Sequence, residues 1–369
     1  MKYYLVAGEA SGDLHGANLM QALKTKDAHA QFRFFGGEKM EAQGGLLVKH
    51  YRDMAFMGFI EVLFNLRSIL KNMAACKADI LAYQPDVLVL IDFPGFNLKI
   101  AEFAKKQGIR VCYYISPKVW AWNQKRVLKI KKVVDQMFCI LPFEVDFYKS
   151  WGMDVTYVGN PLLDAIADFN SRPDFAATLG VQDAQVVALL PGSRKQEIER
   201  LLPDMLAMAD RFPAYKFVVA GAPNFDQSYY EKVADRRSLN IVYNQTYDLL
   251  NIAQAAIVAS GTATLETAIF RVPQVVVYKG SAISVAIARR LVKIRFISLV
   301  NLIAGKAVVP ELIQEDCNAA RITEELSRIL EGIGREAQLS GYNELSKKLG
   351  KPGASERAAA GIVEESGMR

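Results

Sequence analysis

Residues 255–280, AAIVASGTATLETAIFRVPQVVVYKG, decide the fold. Ala256–Ala259 is a short, unbroken apolar run, the mark of a strand buried on both faces. Ser260-Gly261-Thr262 then turns the chain into a helix carrying Glu266, and Gln274–Tyr278 is the next strand. Strand, tight turn, helix and strand make the unit from which parallel sheets are wound. The turn also has chemical meaning. Free backbone N–H groups and two hydroxyls sit at a helix start, where the peptide dipoles favour an anion. Glu266, one turn on, is an acceptor-only carboxylate suited to a pair of sugar hydroxyls. A phosphate at the helix tip with a diol beyond it describes a nucleotide; the plain alternative is an ordinary turn followed by a surface Glu.

Working outward, the same alternation fills the chain. Strands are expected at Tyr3–Ala7, Phe32–Phe35, Val87–Ile91, Arg110–Ile115 and Met137–Leu141, with helices at Leu14–Lys24, Phe59–Ala82, Leu98–Gln107, Val119–Val134 and Glu144–Trp151. Gly159-Asn160-Pro161 opens a linker running to about Pro173, and a second series restarts with strands Val186–Leu190, Lys216–Ala220 and Ile241–Tyr243. Helices are expected near Ser281–Val292, Ala319–Glu331 and Ala354–Glu365. The class is α/β: two Rossmann-like parallel-sheet domains, 1–160 and 161–345, followed by a helical segment, 346–369, that packs on the first domain or on a second subunit.

The 369 residues suffice for two cores, and 51% hydrophobic with 23% charged residues excludes a disordered chain. Apolar runs are too short to span a bilayer, and the chain enters a strand at once, without a signal peptide. Four scattered cysteines and three dispersed histidines argue for reduced thiols and against a metal site. No cofactor is expected. The net charge of +6 suits phosphorylated ligands or an anionic membrane surface. No nucleic-acid motif accompanies it, so nucleic acid is not an expected partner.

Ligands of open parallel sheets bind beyond the carboxyl ends of the strands. The unusual clusters fall in those loops. Gly8, Glu9, Ser11 and Gly12 form a glycine-rich turn able to hold a phosphate or sugar; the alternative is a tight turn capped by Ser11 or Asp13. Asp92, in IDFPGFN, is a carboxylate at a strand's carboxyl end, set by a Pro-Gly bend. It is the candidate general base, with His15 as rival. Pro117–Lys132 mixes Trp120 and Trp122 with six basic residues, suiting phosphates or an interface. Ser193 and Arg194, with open N–H groups at a helix start, make a pyrophosphate clamp. Phe59, Val62, Leu63, Leu66, Ile69 and Leu70 form one apolar helical stripe, which a core helix or a membrane-facing helix would show equally.

The motifs VAGEASGD, MGFIEVL, DFPGFN, SPKVWAWNQKR, LPGSR, ASGTATLE and SLVNLIAGKAVVPELIQ span nearly the whole chain. With them the sequence resembles the lipid-A-disaccharide synthases, inverting glycosyltransferases of bacterial lipopolysaccharide synthesis. The resemblance implies a glycosyltransferase B fold, two facing domains with the site in the cleft. It implies transfer of 2,3-diacylglucosamine from UDP-2,3-diacylglucosamine to the 6-hydroxyl of 2,3-diacylglucosamine 1-phosphate (lipid X), giving a β-1,6 link and UDP, without a metal. It makes Asp92 the base and puts Arg194 at the donor phosphates, Glu266 and Asn301 at UDP, and the Gly8–Gly12 turn at the acceptor. Where some relatives read DAPDFN, this chain reads DFPGFN, so Gly95 replaces a second acid and Asp92 alone supplies the carboxylate. The resemblance further implies a cytoplasmic enzyme, peripheral on the inner membrane and lipid-facing along the stripe, with subunits paired through C-terminal segments. Two other readings use the same residues: a UDP-sugar 2-epimerase of the same fold, and a non-catalytic nucleotide-sugar or lipid carrier.

Overall fold

The computed structural model describes residues 1–54, 66–281 and 295–364. They form two compact units, 1–164 with the C-terminal residues from 351, and 165–350.

In the first unit seven parallel strands form one sheet: β1 (Lys2–Ala7), β2 (Gln31–Gly36), β3 (Leu46–His50), β4 (Val87–Ile91), β5 (Arg110–Tyr114), β6 (Gln136–Cys139) and β7 (Thr156–Tyr157), in the order β3-β2-β1-β4-β5-β6-β7. Both faces are covered. Tyr4, Val6, Leu88 and Leu90 join one core, while Tyr3, Leu5, Val87 and Val89 join the other. That two-sided burial is why these strands read as continuous apolar runs rather than alternating ones.

The second unit repeats the plan with β8 (Gln185–Leu190), β9 (Tyr215–Gly221), β10 (Asn240–Tyr243), β11 (Ala253–Ala259), β12 (Gln274–Tyr278) and β13 (Glu311–Ile313), ordered β10-β9-β8-β11-β12-β13. All pairings are parallel. In each unit the strand order reverses once, between β1 and β4 and between β8 and β11. Those switch points are where ligands bind in doubly wound sheets.

The chain crosses between units in the Pro161–Ala167 helix, inside the stretch expected to be a linker, and returns after Gly350. The returning Ala354–Glu364 helix completes the first unit's core: Ala358, Ala359 and Ile362 are fully buried with Tyr114 and Phe138. Its first N–H groups, on Gly353 and Ala354, donate to the Asp164 carboxylate. Arg357 Nε donates to the Val158 carbonyl at 2.7 Å.

Several boundaries differ from expectation for identifiable reasons. The helix after β4 begins at Pro94, not Leu98, because proline's fixed φ suits the first helical turn. The expected Val119–Val134 helix is two short helices, Val119–Trp122 and Val127–Val133, around a 3₁₀ turn; Asn123, at φ −138° and ψ 66°, breaks the ladder. A helix at Gly332–Leu349 was not expected, since three glycines obscure its period; at Gly341 a side chain would strike Val308 at 2.4 Å. Phe59, Val62 and Leu63, and nearly all of Ser281–Val292, lie outside the described residues. The helix Leu66–Tyr83 carries Ile69, half-buried, and Leu70, 53% exposed.

Candidate active site

At the first unit's switch point the β1 and β4 turns are locked together. Gly8 is buried, and a methyl group there would meet the Phe93 ring at 2.3 Å, so only glycine lets the rings and loop close. Asp92 and Phe93 both have left-handed backbones, φ 43° and 46°. Consecutive non-glycine residues in that region cost about 1–3 kcal/mol each. What holds them is the buried Asn97, whose amide donates to the carbonyls of Val6, Ile91 and Asp92, the last at 2.8 Å. The Tyr113 hydroxyl donates to the same Asp92 carbonyl. Asp92 thus leaves the strand end in a braced left-handed turn. It does not cap the following helix, whose N-cap is Phe93.

Asp92 is half-buried. Burial raises its pKa above the ordinary carboxylate value; the Lys118 charge opposes the rise and Glu9 adds to it. The β1 turn therefore contributes Glu9, half-buried, and Ser11, exposed, while Gly12 is packed under the sheet with Ala7 3.2 Å from where a methyl would sit. Asp13 does not cap its own helix: it accepts from the N–H groups of Gly37, Lys39 and Met40, capping the helix that starts at Glu38. His15, the rival base, is held neutral: burial pushes its pKa down to about 4 against the opposing charge of Asp164.

The two tryptophans after β5 separate. Trp120 is 8% exposed and packs edge-on against Phe143, whereas Trp122 is 52% exposed with Arg126 5.0 Å from its ring centre. Trp120 Nε1 and Ser116 Oγ donate to Glu144, a carboxylate 1% exposed that also accepts from Leu141 N–H at 3.1 Å. Burial pushes the Glu144 pKa to about 7. Its role in fixing the Ser116–Trp120 turn, between whose ends Lys118 sits, escaped the sequence reading. A helix-opening Glu gives no local sign of partners on another loop.

In the second unit the β8 and β11 turns leave adjacent strands, with Leu190 paired to Val258. The N–H groups after β8 are not open as expected. Glu197 Oε2 accepts from Ser193 N–H and Arg194 N–H, each at 3.3 Å, and Glu197 Oε1 lies 3.4 Å from Arg194 Nη1. Arg194 nonetheless remains 72% exposed in its side chain.

After β11, Gly261 is the N-cap of the Thr262–Ile269 helix; Gly261 and Thr262 are exposed, and a methyl on Gly261 would meet nothing within 4 Å among the described residues. Ser260 N–H donates to Val277 and its hydroxyl to the Ile297 carbonyl at 2.9 Å, so the turn is fastened to the loop before residue 299. Glu266 takes a hydrogen bond from Tyr247 at 2.8 Å, and its other oxygen has no hydrogen-bond partner among the described residues. Burial raises the Glu266 pKa and Tyr247 opposes this. Tyr247 is itself set by edge contacts with Phe169 and a tilted contact with Phe270.

Asn301, expected at UDP, is braced within its own loop. It is 1% exposed, donates to the Val309 carbonyl and Glu311, and accepts from Val308 N–H at 2.7 Å and Val309 N–H at 3.0 Å. Two donors and two acceptor positions are all an amide has. Its side chain is thus engaged in tying the 298–311 loop together with Glu311, which also accepts from Ile297 and Ser298. Asn301→Ala is accordingly expected to lower stability by about 1–3 kcal/mol, the cost of leaving buried groups unpaired. Chemical unfolding measures it; unchanged stability with weakened UDP binding would restore the contact role.

Among the described residues no helix is long and apolar enough to cross a membrane. The sequence model of the family described as lipid-A-disaccharide synthetase matches residues 3–362. A lipid-A-disaccharide synthase of Syntrophus aciditrophicus is 44% identical over 364 residues, covering 96% of this chain and 95% of the relative. One of Myxococcus xanthus is 41% identical, covering 98% and 96%. Among solved structures, a glycosyltransferase of kitacinnamycin aligns with a TM-score of 0.68 at 14% identity over 99% of this chain and 98% of that one. A UDP-GlcNAc 2-epimerase from Neisseria meningitidis aligns with 0.64 at 13%, over 99% of each chain. At such identities these two show the fold alone, the two-domain glycosyltransferase B class, and do not favour epimerisation. Family-wide agreement over nearly the full length settles the matter: the chain belongs to the lipid-A-disaccharide synthetase family of glycosyltransferases.

Proposed function

We propose that the chain transfers 2,3-diacylglucosamine from UDP-2,3-diacylglucosamine to the 6-hydroxyl of 2,3-diacylglucosamine 1-phosphate, the first unit taking the acceptor and the second the donor. The observation that carries this reading is Asp92, a partly buried carboxylate in a strained, heavily braced turn at a switch point. Strain kept at such cost belongs where geometry matters to chemistry.

In this reading Asp92 accepts the proton of the acceptor 6-hydroxyl as its oxygen attacks the anomeric carbon. The bond from that carbon to the UDP oxygen breaks on the opposite face, inverting the centre, and the electron pair leaves with UDP. Arg194 and the helix tip at Ser260–Thr262 hold the diphosphate, and Glu266 holds ribose hydroxyls through the oxygen Tyr247 leaves free. Glu9 and Ser11 line the acceptor side. The test is UDP release from the purified enzyme with donor alone and with donor plus acceptor. Release that requires lipid X supports transfer; release or isomerisation without it rejects the reading.

Membrane contact belongs to the same proposal. Leu70 is 53% exposed on the Leu66–Tyr83 helix, and Trp122 and Leu128, 52% and 53% exposed, are flanked by basic residues. Exposed apolar groups beside cations are the basis of reversible interfacial binding. Leu70→Ser combined with Trp122→Ser is expected to leave the unfolding midpoint nearly unchanged, as for other surface changes, while reducing co-sedimentation with anionic vesicles. Undiminished sedimentation would remove this surface from the membrane contact.

A further inference from the structure

The carboxylate of Glu197 caps the loop that the proposed function gives to the donor diphosphate. Its Oε2 receives two backbone N–H groups at the start of the Lys195–Arg211 helix, and its Oε1 faces the Arg194 guanidinium. Gly192, at φ 99°, makes room for it: a methyl there would lie 2.5 Å from Oε2. The three contacts are long, 3.3, 3.3 and 3.4 Å, and the Arg194 side chain is 72% exposed. A long ion pair to so exposed a guanidinium contributes little. A charge-assisted bond to phosphate contributes more. The loop is thus built to hold an anion and holds an internal one weakly enough to exchange.

We propose that Glu197 is a built-in competitor for the donor diphosphate, capping the loop through its carboxylate until the nucleotide displaces it and re-capping it when UDP leaves. The inference rests on the donor reading of this loop. It gives the site two properties at once: a shaped loop without ligand, and a UDP affinity held below what Arg194 and the N–H groups would otherwise reach, which favours product release.

Glu197→Gln separates the two halves of the contact. The amide oxygen can keep the Ser193 and Arg194 N–H groups, while its N–H₂ faces the guanidinium and cannot pair with it. In calorimetry at low ionic strength, Glu197→Gln is expected to bind UDP about two- to fivefold more tightly, the equivalent of losing an exposed ion pair. Uridine, lacking phosphates, should bind equally to both proteins. In an Arg194→Ala background the same substitution should bring no gain, because the gain runs through the guanidinium. Unchanged or weaker UDP binding in Glu197→Gln overturns the inference, and so does an equal gain for uridine. If Arg194→Ala by itself leaves UDP affinity intact, the donor reading fails first. If Arg194→Ala weakens UDP but Glu197→Gln does not tighten it, only the competitor role fails.

Discussion

An Asp92→Asn enzyme is expected to lose about 10²–10⁴-fold in kcat, the usual worth of a positioned base, while binding UDP as the parent does. The substitution keeps volume and leaves the backbone untouched: Asn97 and Tyr113 hold the Asp92 carbonyl, not its carboxylate. Asparagine also tolerates the left-handed backbone that residue 92 adopts at φ 43°. The loss therefore reports basicity rather than collapse of the turn. Its pH dependence has a definite sign. Because burial raises the Asp92 pKa, the parent's rate should fall on the acid side as the carboxylate takes up a proton, above the range of an ordinary Asp. The residual rate of Asp92→Asn should lack that limb. Steady-state kinetics across pH, with UDP calorimetry alongside, make the comparison; near-parental turnover in Asp92→Asn would reject the base.

Arg194→Ala is expected to weaken UDP binding by about 1.5–3 kcal/mol, the range for a hydrogen bond to a charged group. The magnitudes decide which partner wins. Without ligand the guanidinium's one hydrogen-bond partner among the described residues is the partly buried Glu197 carboxylate at 3.4 Å; with Arg194 itself 72% exposed that pair is worth at most about 1 kcal/mol, so a diphosphate is expected to draw it away. Arg194→Lys should not restore affinity, because an ammonium lacks the planar fork that matches two phosphate oxygens. Lys195, next in the chain, already spans to Glu199 at 3.9 Å and does not duplicate the role. Titration calorimetry of parent, Ala and Lys proteins reads the effect. Equal affinities would put the nucleotide elsewhere.

The two sheets and their switch-point loops were legible in the chain because their signals are local. Val87–Ile91 and Val186–Leu190 are apolar throughout, which only a strand covered on both faces requires, and small residues mark the turns at Gly8, Gly192 and Gly261. The edge strands β3, β7 and β13 went unread, as LLVKH, TY and ELI are short and only partly buried. Tertiary structure alone decided what each polar group does. Asn301 and Glu266 are both polar residues in family motifs, yet one sits inside a closed set of four hydrogen bonds and the other, among the described residues, keeps an oxygen without a partner. Glu144 meets Ser116 across 28 residues, and Asn97 meets Val6 across 91. Periodicity and turn chemistry act over a few residues and so can be read in order along the chain. A hydrogen-bond partner is set by strand order and by which face of the sheet a side chain leaves, and those exist only once the distant strands have paired.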